Sequence, residues 1–140
     1  DRYSFFGNMS GGIGWALPAA VGISLANPNR RVVAIIGDGS SMYSIQALWT
    51  AAHLKLPITY VIANNGGYRI IKERLHAFHG SDHYIGMDFK DPAIDFLKLA
   101  GGLGMTAIRA QNSAELDAVI ERVGNDEGPV LIEAMVETGN

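Results

Sequence analysis

The sequence has no cysteine, little charge and no long apolar run, and each shortage excludes a class of protein. Without cysteine there can be no disulfide framework. Only 18% of the residues are charged, with a net charge of −3 and a pI near 5.7, so there is no basic stripe to bind nucleic acid or an anionic membrane surface. No apolar run reaches the length of a membrane span or forms a signal-peptide pattern, so the expected location is cytoplasmic.

The chain has enough apolar material for one core. It contains 140 residues, of which 48% are hydrophobic. That is long enough for one well-buried domain and too short for two ordinary ones. We therefore predict a single domain over residues 1–140.

Two apolar segments, each followed by a polar turn, organise the chain. Residues 31–36 and 58–63 are rich in β-branched side chains and are predicted to be buried strands. Between them, residues 43–54 show helical spacing. A strand–helix–strand unit makes the two strands parallel, so the turns that follow them should meet at the carboxyl edge of one sheet, where α/β proteins bind ligands.

The two turns carry oxygen ligands. Asp38 offers a carboxylate, Asn64 and Asn65 offer amide carbonyls, and Gly66-Gly67 can present a backbone carbonyl. Such ligands suit Mg²⁺ or Ca²⁺, and a site with a single carboxylate favours an anionic ligand that completes it. Both turns also contain common turn dipeptides, and each taken alone is more often a tight turn than a metal site, so the inference depends on the pair.

Small residues beside Asp38 indicate what that anion is. Gly39 allows a ligand to approach the backbone, and Ser40 and Ser41 can present hydroxyl and N–H groups at the start of a helix, where phosphate is favoured. A metal-bridged diphosphate is the simplest ligand for this edge.

The rest of the chain alternates between helices and strands. We predict an α/β fold, a mostly parallel sheet with helices on both faces. The further elements are a helix opened by residues 11–14 and ending at 27–29, a short helix after Asn65, a helix from Pro92 to Gly102, a strand at 105–108, a helix at 113–123 capped by Ser113, and a strand at 130–134.

Two other patterns invite functional interpretations that we reject. Gly12-Ile13-Gly14 lacks the third glycine and the preceding strand of a dinucleotide fingerprint. His76, His79 and His83 lack a fourth well-spaced ligand for zinc, and Gly80-Ser81 interrupts their helix. We instead expect residues 76–89 to form a loop at the mouth of the site.

Gly37-Asp38-Gly39-Ser40, followed after Ala63 by Asn64-Asn65, resembles the cofactor motif of thiamine diphosphate enzymes. Residues 11–20 and 43–52 are similar to the decarboxylase branch of that family, most of all to the benzoylformate decarboxylases. The resemblance covers essentially the whole chain. It implies the diphosphate-binding, C-terminal domain of a three-domain enzyme that uses thiamine diphosphate and Mg²⁺, or Ca²⁺ in its place.

The resemblance also implies roles for individual residues. The metal ligands would be Asp38, Asn65 and the backbone carbonyl of Gly67. Ile13 would support the bent cofactor, whereas from the sequence alone it would be a core residue. Arg74 stands where an aromatic residue is expected in the benzoylformate decarboxylases. The cofactor-binding residues implied are Gly11, Ile13, Gly37, Gly39, Ser40, Tyr68 and Ile71.

The function implied is a lyase, a decarboxylase acting on a small 2-oxo acid. An acetohydroxyacid synthase or other carboligase is the alternative within the family, and a non-catalytic, metal-dependent phosphate-binding module is the alternative outside it. No catalytic residue is expected in this chain, because the resemblance places the activating glutamate in a separate pyrimidine-binding domain. The expected partners are that domain and further copies in a homo-oligomer, and the isolated chain is expected to be inactive.

Overall fold

A computed structural model describes residues 4–124 and 127–137 of the chain. The outer parts of the predicted domain, 1–3 and 138–140, and residues 125–126 lie outside the described residues. The described elements, in chain order, are α1 (Ala16–Ala26), β1 (Val32–Gly37), α2 (Asp38–Ser41), α3 (Ala47–His53), β2 (Ile58–Asn64), α4 (Arg69–His79), α5 (Phe96–Gly102), β3 (Thr106–Ala110), α6 (Ser113–Val123) and β4 (Val130–Met135).

In the described part of the chain the strands form one four-stranded sheet in the order β1-β2-β4-β3, and every neighbouring pair is parallel. Helices α1, α3 and α5 pack on one face and α6 packs on the other. The predicted α/β fold, with a parallel sheet between helices, is confirmed. The crossover from β1 to β2 through α2 and α3 gives the parallel pair that the strand–helix–strand pattern predicts.

Most of the core lies under α1, α3 and α5. Leu17, Leu48 and Phe96 carry these helices onto the sheet and are at most 1% exposed. They meet buried side chains at alternate positions of the strands, because successive strand residues point to opposite faces. Under α6, Val119 and Val123 pack on Val130 and Ile132 of β4.

Three helices begin later than the sequence predicts. Helix α1 begins at Ala16, after the glycines that were expected to open it. Helix α3 begins at Ala47, because residues 41–47 form successive turns with hydrogen bonds between residues three apart. Helix α5 begins at Phe96, well after Pro92. The Asp95 carboxylate accepts a hydrogen bond from the Lys98 amide and so fixes that start.

Two helix ends also differ from the prediction. The N-cap of α6 is Asn112, whose side chain accepts from the Glu115 amide, and Ser113 is the first helical residue. Helix α4 continues to His79 and ends at Gly80 in a left-handed conformation. The first residues of the predicted 76–89 loop are therefore helical.

Candidate functional site

The two polar turns lie side by side at the carboxyl edge of the sheet. Gly37, the last residue of β1, is in register with Ala63 of β2. Asp38 therefore leaves its strand beside Asn64, and the expectation that both turns meet at one edge is confirmed. The segment 64–67 then folds back over the Asp38 side chain.

The Asp38 carboxylate is buried, with the residue only 3% exposed, and backbone amides surround it. Its Oδ1 accepts from the Gly39 amide at 2.8 Å, and its Oδ2 accepts from the amides of Gly66 and Gly67 at 2.8 and 3.1 Å. A carboxylate can accept about four such contacts. These three hold it in one orientation and leave Oδ1 with capacity for a further ligand.

The two asparagines have different surroundings. Asn64 is buried, and both ends of its amide are engaged: Nδ2 donates to Glu133 Oε1 at 2.6 Å, and Oδ1 accepts from the Gly66 amide at 2.9 Å. Asn65 is half-buried, and its Oδ1 accepts from the Gly67 amide at 3.2 Å. Of the two carbonyls, the one on Asn65 has the greater capacity to bind a cation.

Glycine is required in this turn for two reasons. Gly66 has a φ of +74°, which side chains other than glycine rarely adopt. A Cβ atom on Gly67 would lie 2.4 Å from the Met87 carbonyl oxygen. The backbone of residues 87–89 fastens the turn from outside, since Tyr68 N donates to Met87 O and Phe89 N donates to Gly66 O.

Gly39 brings the start of α2 against an aromatic pair. A Cβ atom on Gly39 would lie 2.6 Å from the Tyr68 ring, which meets Phe89 edge-to-face at 4.8 Å. Burial raises the pKa of the Tyr68 hydroxyl, and the neighbouring Tyr43 and Asp38 raise it further. The Tyr68 hydroxyl is therefore neutral, and the ring is packed beside the Asp38 turn.

The two serines of α2 have separate roles. Ser41 is fully buried and its Oγ donates to the Asp38 carbonyl at 2.6 Å, so this hydroxyl is not available to a phosphate as the sequence suggested. Ser40 is half-buried, and its Oγ accepts from the Gly14 amide at 3.0 Å. The Ser40 hydroxyl keeps its own proton for an anionic ligand.

The contact between Ser40 and Gly14 fastens residues 11–15 to the same edge. Ser44 Oγ also donates to the Gly14 carbonyl at 2.5 Å. Gly11, with a φ of +68°, is exposed, and Ile13 is 55% exposed rather than part of the core. The apolar side chain of Ile13 is thus exposed to solvent near the Asp38 turn.

The other residues that the sequence singled out lie on α4. Ile71 is 38% exposed, and α4 buries no side chain in the described part of the molecule. His76 pairs with Asp82, Nδ1 to Oδ1 at 2.7 Å, on the surface. Among residues 4–124 and 127–137, no three His, Cys, Asp and Glu side chains come together where they could hold a metal. Any metal here needs amide, backbone or ligand oxygens beside Asp38.

Sequence reasoning missed the charges behind the turn. Glu133 of β4 is 1% exposed, and its Oε2 accepts from Arg109 Nε of β3 at 2.7 Å. The available signal was a single carboxylate inside an otherwise apolar strand, because such a group is rarely buried without partners.

A cleft of about 540 Å³ runs along the outer edge of β1, between that strand, α1 and the N-terminal segment. It reaches Gly12, Gly37 and Ser40, so it opens onto the same turn.

No helix of the described residues is long and apolar enough to cross a membrane.

Comparison with known proteins gives one consistent family. Residues 1–134 match the model of the thiamine pyrophosphate enzyme C-terminal TPP-binding domain. Benzoylformate decarboxylase of Pseudomonas aeruginosa is 39% identical over 135 residues, covering 96% of this chain and 25% of that protein. The acetolactate synthase large subunit of Cyanidium caldarium is 35% identical over 128 residues, covering 91% of this chain and 22% of the relative.

A solved structure agrees with the match. The thiamine diphosphate-dependent 4-hydroxybenzoylformate decarboxylase of Rhodococcus jostii superposes with a TM-score of 0.86 and 37% sequence identity, covering 93% of this chain and 24% of that one. The chain spans about a quarter of the length of these relatives.

Proposed function

Because this chain belongs to the C-terminal TPP-binding domains of thiamine pyrophosphate enzymes, we propose that it anchors Mg²⁺ and the diphosphate of the cofactor in a 2-oxo acid decarboxylase. The observation that carries the proposal is the Asp38 carboxylate, which is buried and fixed by the amides of the 64–67 turn at the carboxyl edge of the sheet. A buried carboxylate facing a ligand edge, with amide and backbone oxygens beside it, is a set of ligands suited to Mg²⁺.

The described residues fit the group that the family binds. Asp38, Asn65 and the carbonyl of Gly67 would hold the metal, and phosphate oxygens would complete its coordination. The Ser40 hydroxyl and Gly37 would border the diphosphate, since Gly37 is exposed and a Cβ atom there would meet nothing within 4 Å. Gly39 would contribute only its backbone, because the Tyr68 ring fills the space where its Cβ would lie. When bound, thiamine diphosphate supplies the electron sink for the chemistry. This chain supplies anchoring and orientation.

The substrate side is the less determined half of the proposal. A small 2-oxo acid is favoured because the relatives reported above include a benzoylformate decarboxylase and a 4-hydroxybenzoylformate decarboxylase. A carboligase is the second candidate, favoured by the 35% identity to an acetolactate synthase large subunit. Product analysis of the complete enzyme with pyruvate and with benzoylformate distinguishes the two.

Calorimetry on the 140-residue chain tests the anchoring function. We expect thiamine diphosphate to bind only when Mg²⁺ is present, and ADP or NAD to bind weakly or not at all. Binding of ADP in preference to thiamine diphosphate would contradict the proposal and favour a general phosphate-binding module.

The first prediction is that Asp38→Ala abolishes Mg²⁺-dependent binding, with a loss in affinity above about 100-fold, because the bridging charge is removed. Asp38→Asn is the second variant. It keeps the shape of the side chain and some of its contacts, so it separates loss of charge from loss of the turn. Asp117→Ala, on the exposed face of α6, is the matched control. Unchanged affinity in both Asp38 variants, with circular dichroism intact, would contradict the metal assignment.

A further inference from the structure

Glu133 is a buried carboxylate to which the proposed function assigns no role. It is 1% exposed, and its two oxygens accept from different partners, Oε1 from Asn64 Nδ2 at 2.6 Å and Oε2 from Arg109 Nε at 2.7 Å. The Arg109 side chain is 39% exposed, so this ion pair joins a partly solvated residue of β3 to a buried residue of β4.

The strand register makes this contact a consequence of the fold. Glu133 is in register with Ile62 on one side and with Arg109 on the other. Asn64 lies two residues beyond Ile62, and strand side chains alternate between faces. The three polar side chains therefore share the face covered by α1, α3 and α5, at its carboxyl end.

The chain of contacts continues into the proposed metal site. Glu133 can only accept hydrogen bonds when ionised, so it requires the NH₂ end of the Asn64 amide and turns the carbonyl end outward. That carbonyl accepts from the Gly66 amide, and the same amide donates to Asp38 Oδ2. Glu133 thus determines the orientation of Asn64, and Asn64 helps to place the turn that holds Asp38.

Stability alone is a poor explanation for this pair. Removing a carboxylate from water is costly, and a well-packed apolar side chain is often at least as stabilising as a buried ion pair. The neighbouring positions of β4 are apolar and buried, so the strand has no general need for charge. The charge lies where a strand end meets the ligand edge.

We propose that Glu133 and Arg109 are positioning residues. Through Asn64 they hold the 64–67 turn in the conformation that presents Asn65, the Gly67 carbonyl and the Asp38 carboxylate to Mg²⁺ and a diphosphate. This inference rests on the proposed function for the identity of the ligand. The positioning itself is a property of the free chain and can be measured without ligand.

Amide exchange by NMR on the free chain is the first measurement. In Glu133→Gln and Arg109→Met we expect exchange at the Gly66 and Gly67 amides to accelerate by about tenfold or more relative to the amides of Tyr60 and Ile62. The matched control is Val123→Ala, which weakens the core under α6 on the opposite face and should not single out the turn.

Calorimetry with Mg²⁺ and thiamine diphosphate is the second measurement. We expect a loss of roughly 10- to 100-fold in affinity in the two variants, the range seen when residues that orient metal ligands are changed. Arg109→Lys should retain most of the affinity that Arg109→Met loses. Arg109 contacts Glu133 through one nitrogen, and a lysine can supply one charged donor.

Two results would overturn the inference. One is exchange that rises at the turn only in proportion to the β2 amides, as in Val123→Ala, because Glu133 would then be an ordinary core residue. The other is that Glu133→Gln and Arg109→Met both bind thiamine diphosphate with the affinity of the wild-type chain. If the wild-type chain binds no thiamine diphosphate, the proposed function fails instead, and the exchange data still decide whether Glu133 and Arg109 place the turn.

Discussion

Ile13 shows at the scale of one residue how an exposed apolar side chain can indicate function. It is 55% exposed, on a segment that the Gly14 contacts with Ser40 and Ser44 fasten to the ligand edge. A core residue would be covered, so the core interpretation of Ile13 is wrong for this chain. The proposed function instead predicts that the cofactor or a partner domain covers it.

The prediction for Ile13→Ala follows from this exposure. The free energy of unfolding should change by less than about 0.5 kcal/mol, because little apolar contact is lost within the chain. Mg²⁺-dependent affinity for thiamine diphosphate should also stay close to wild type. Hydrogen–deuterium exchange at the thiazolium carbon should nevertheless slow in the assembled enzyme, because the bound geometry depends on that side chain.

Exchange at the wild-type rate in Ile13→Ala would contradict a role in cofactor posture. Destabilisation by several kcal/mol would instead indicate packing that the structure does not show. Leu25→Ala, at an exposed apolar position on α1, serves as the control for a general surface effect.

At the scale of elements, strand β2 contains a buried polar group for which the described part of the chain offers no partner. Tyr60 is fully buried, and its hydroxyl has no hydrogen-bond partner among the described residues. Burial raises the pKa of this hydroxyl well above its usual value, because the phenolate would be far from water. In the folded state Tyr60 therefore stays neutral at a pH where the unfolded chain ionises.

The sign of the resulting pH dependence is fixed. The unfolded tyrosine loses its proton near pH 10 and the folded one does not, so the free energy of unfolding should fall as the pH rises above about 10. Tyr60→Phe should remove that part of the fall and change stability at neutral pH by no more than about 1 kcal/mol. Urea denaturation from pH 8 to about pH 11 measures both quantities. Parallel losses in the two proteins would show that Tyr60 is not the source.

Element types were predictable from the sequence, whereas several element starts were not. β-branched runs predict β1 and β2, and β2 is buried as expected. The prediction that β1 is buried is right for one face only, because Val33 and Ile35 on its other face are 60% and 74% exposed. Helix starts depend on single side-chain contacts: Asn112, not Ser113, accepts the Glu115 amide, and Asp95 accepts the Lys98 amide. Asn112 and Ser113 both carry a side chain that can cap a helix, and only the backbone conformation selects Asn112.

The residues of the candidate site also differ in whether the sequence could predict them. Asp38 and the 64–67 turn could be found from the sequence because each follows an apolar run directly. Glu133 and Arg109 could not, since their partnership depends on the strand order β2-β4-β3 and on the register of three strands. Nothing local in the sequence states which strands are neighbours.

On the scale of the whole molecule, much apolar surface is uncovered around the ligand edge. Phe5 is 87% exposed, Trp15 39% and Ile35 74%, and all three border the cleft beside β1. An apolar surface is therefore exposed beside residues 11–15, where Ile13 is also 55% exposed. Exposed patches of this kind mark surfaces where other protein packs, which agrees with a chain that spans about a quarter of its relatives.

Catalysis should need that additional protein. The resemblance implies a glutamate beside the pyrimidine ring of the cofactor, and three of the described glutamates have partners elsewhere. Glu133 binds Asn64 and Arg109, Glu73 pairs with Arg69 on the surface, and Glu115 caps α6. None of them is free at the Asp38 edge.

The last prediction is that the 140-residue chain, loaded with Mg²⁺ and thiamine diphosphate, does not release CO₂ from pyruvate or benzoylformate at an enzymatic rate. Mixing it with the pyrimidine-binding domain of the same enzyme should restore release, because the missing carboxylate then meets the anchored cofactor. Asp38→Ala in the mixture is the control and should stay inactive. Turnover by the chain alone, on the order of one to a thousand per second, would show that the chain holds a complete site and that the separate glutamate is dispensable.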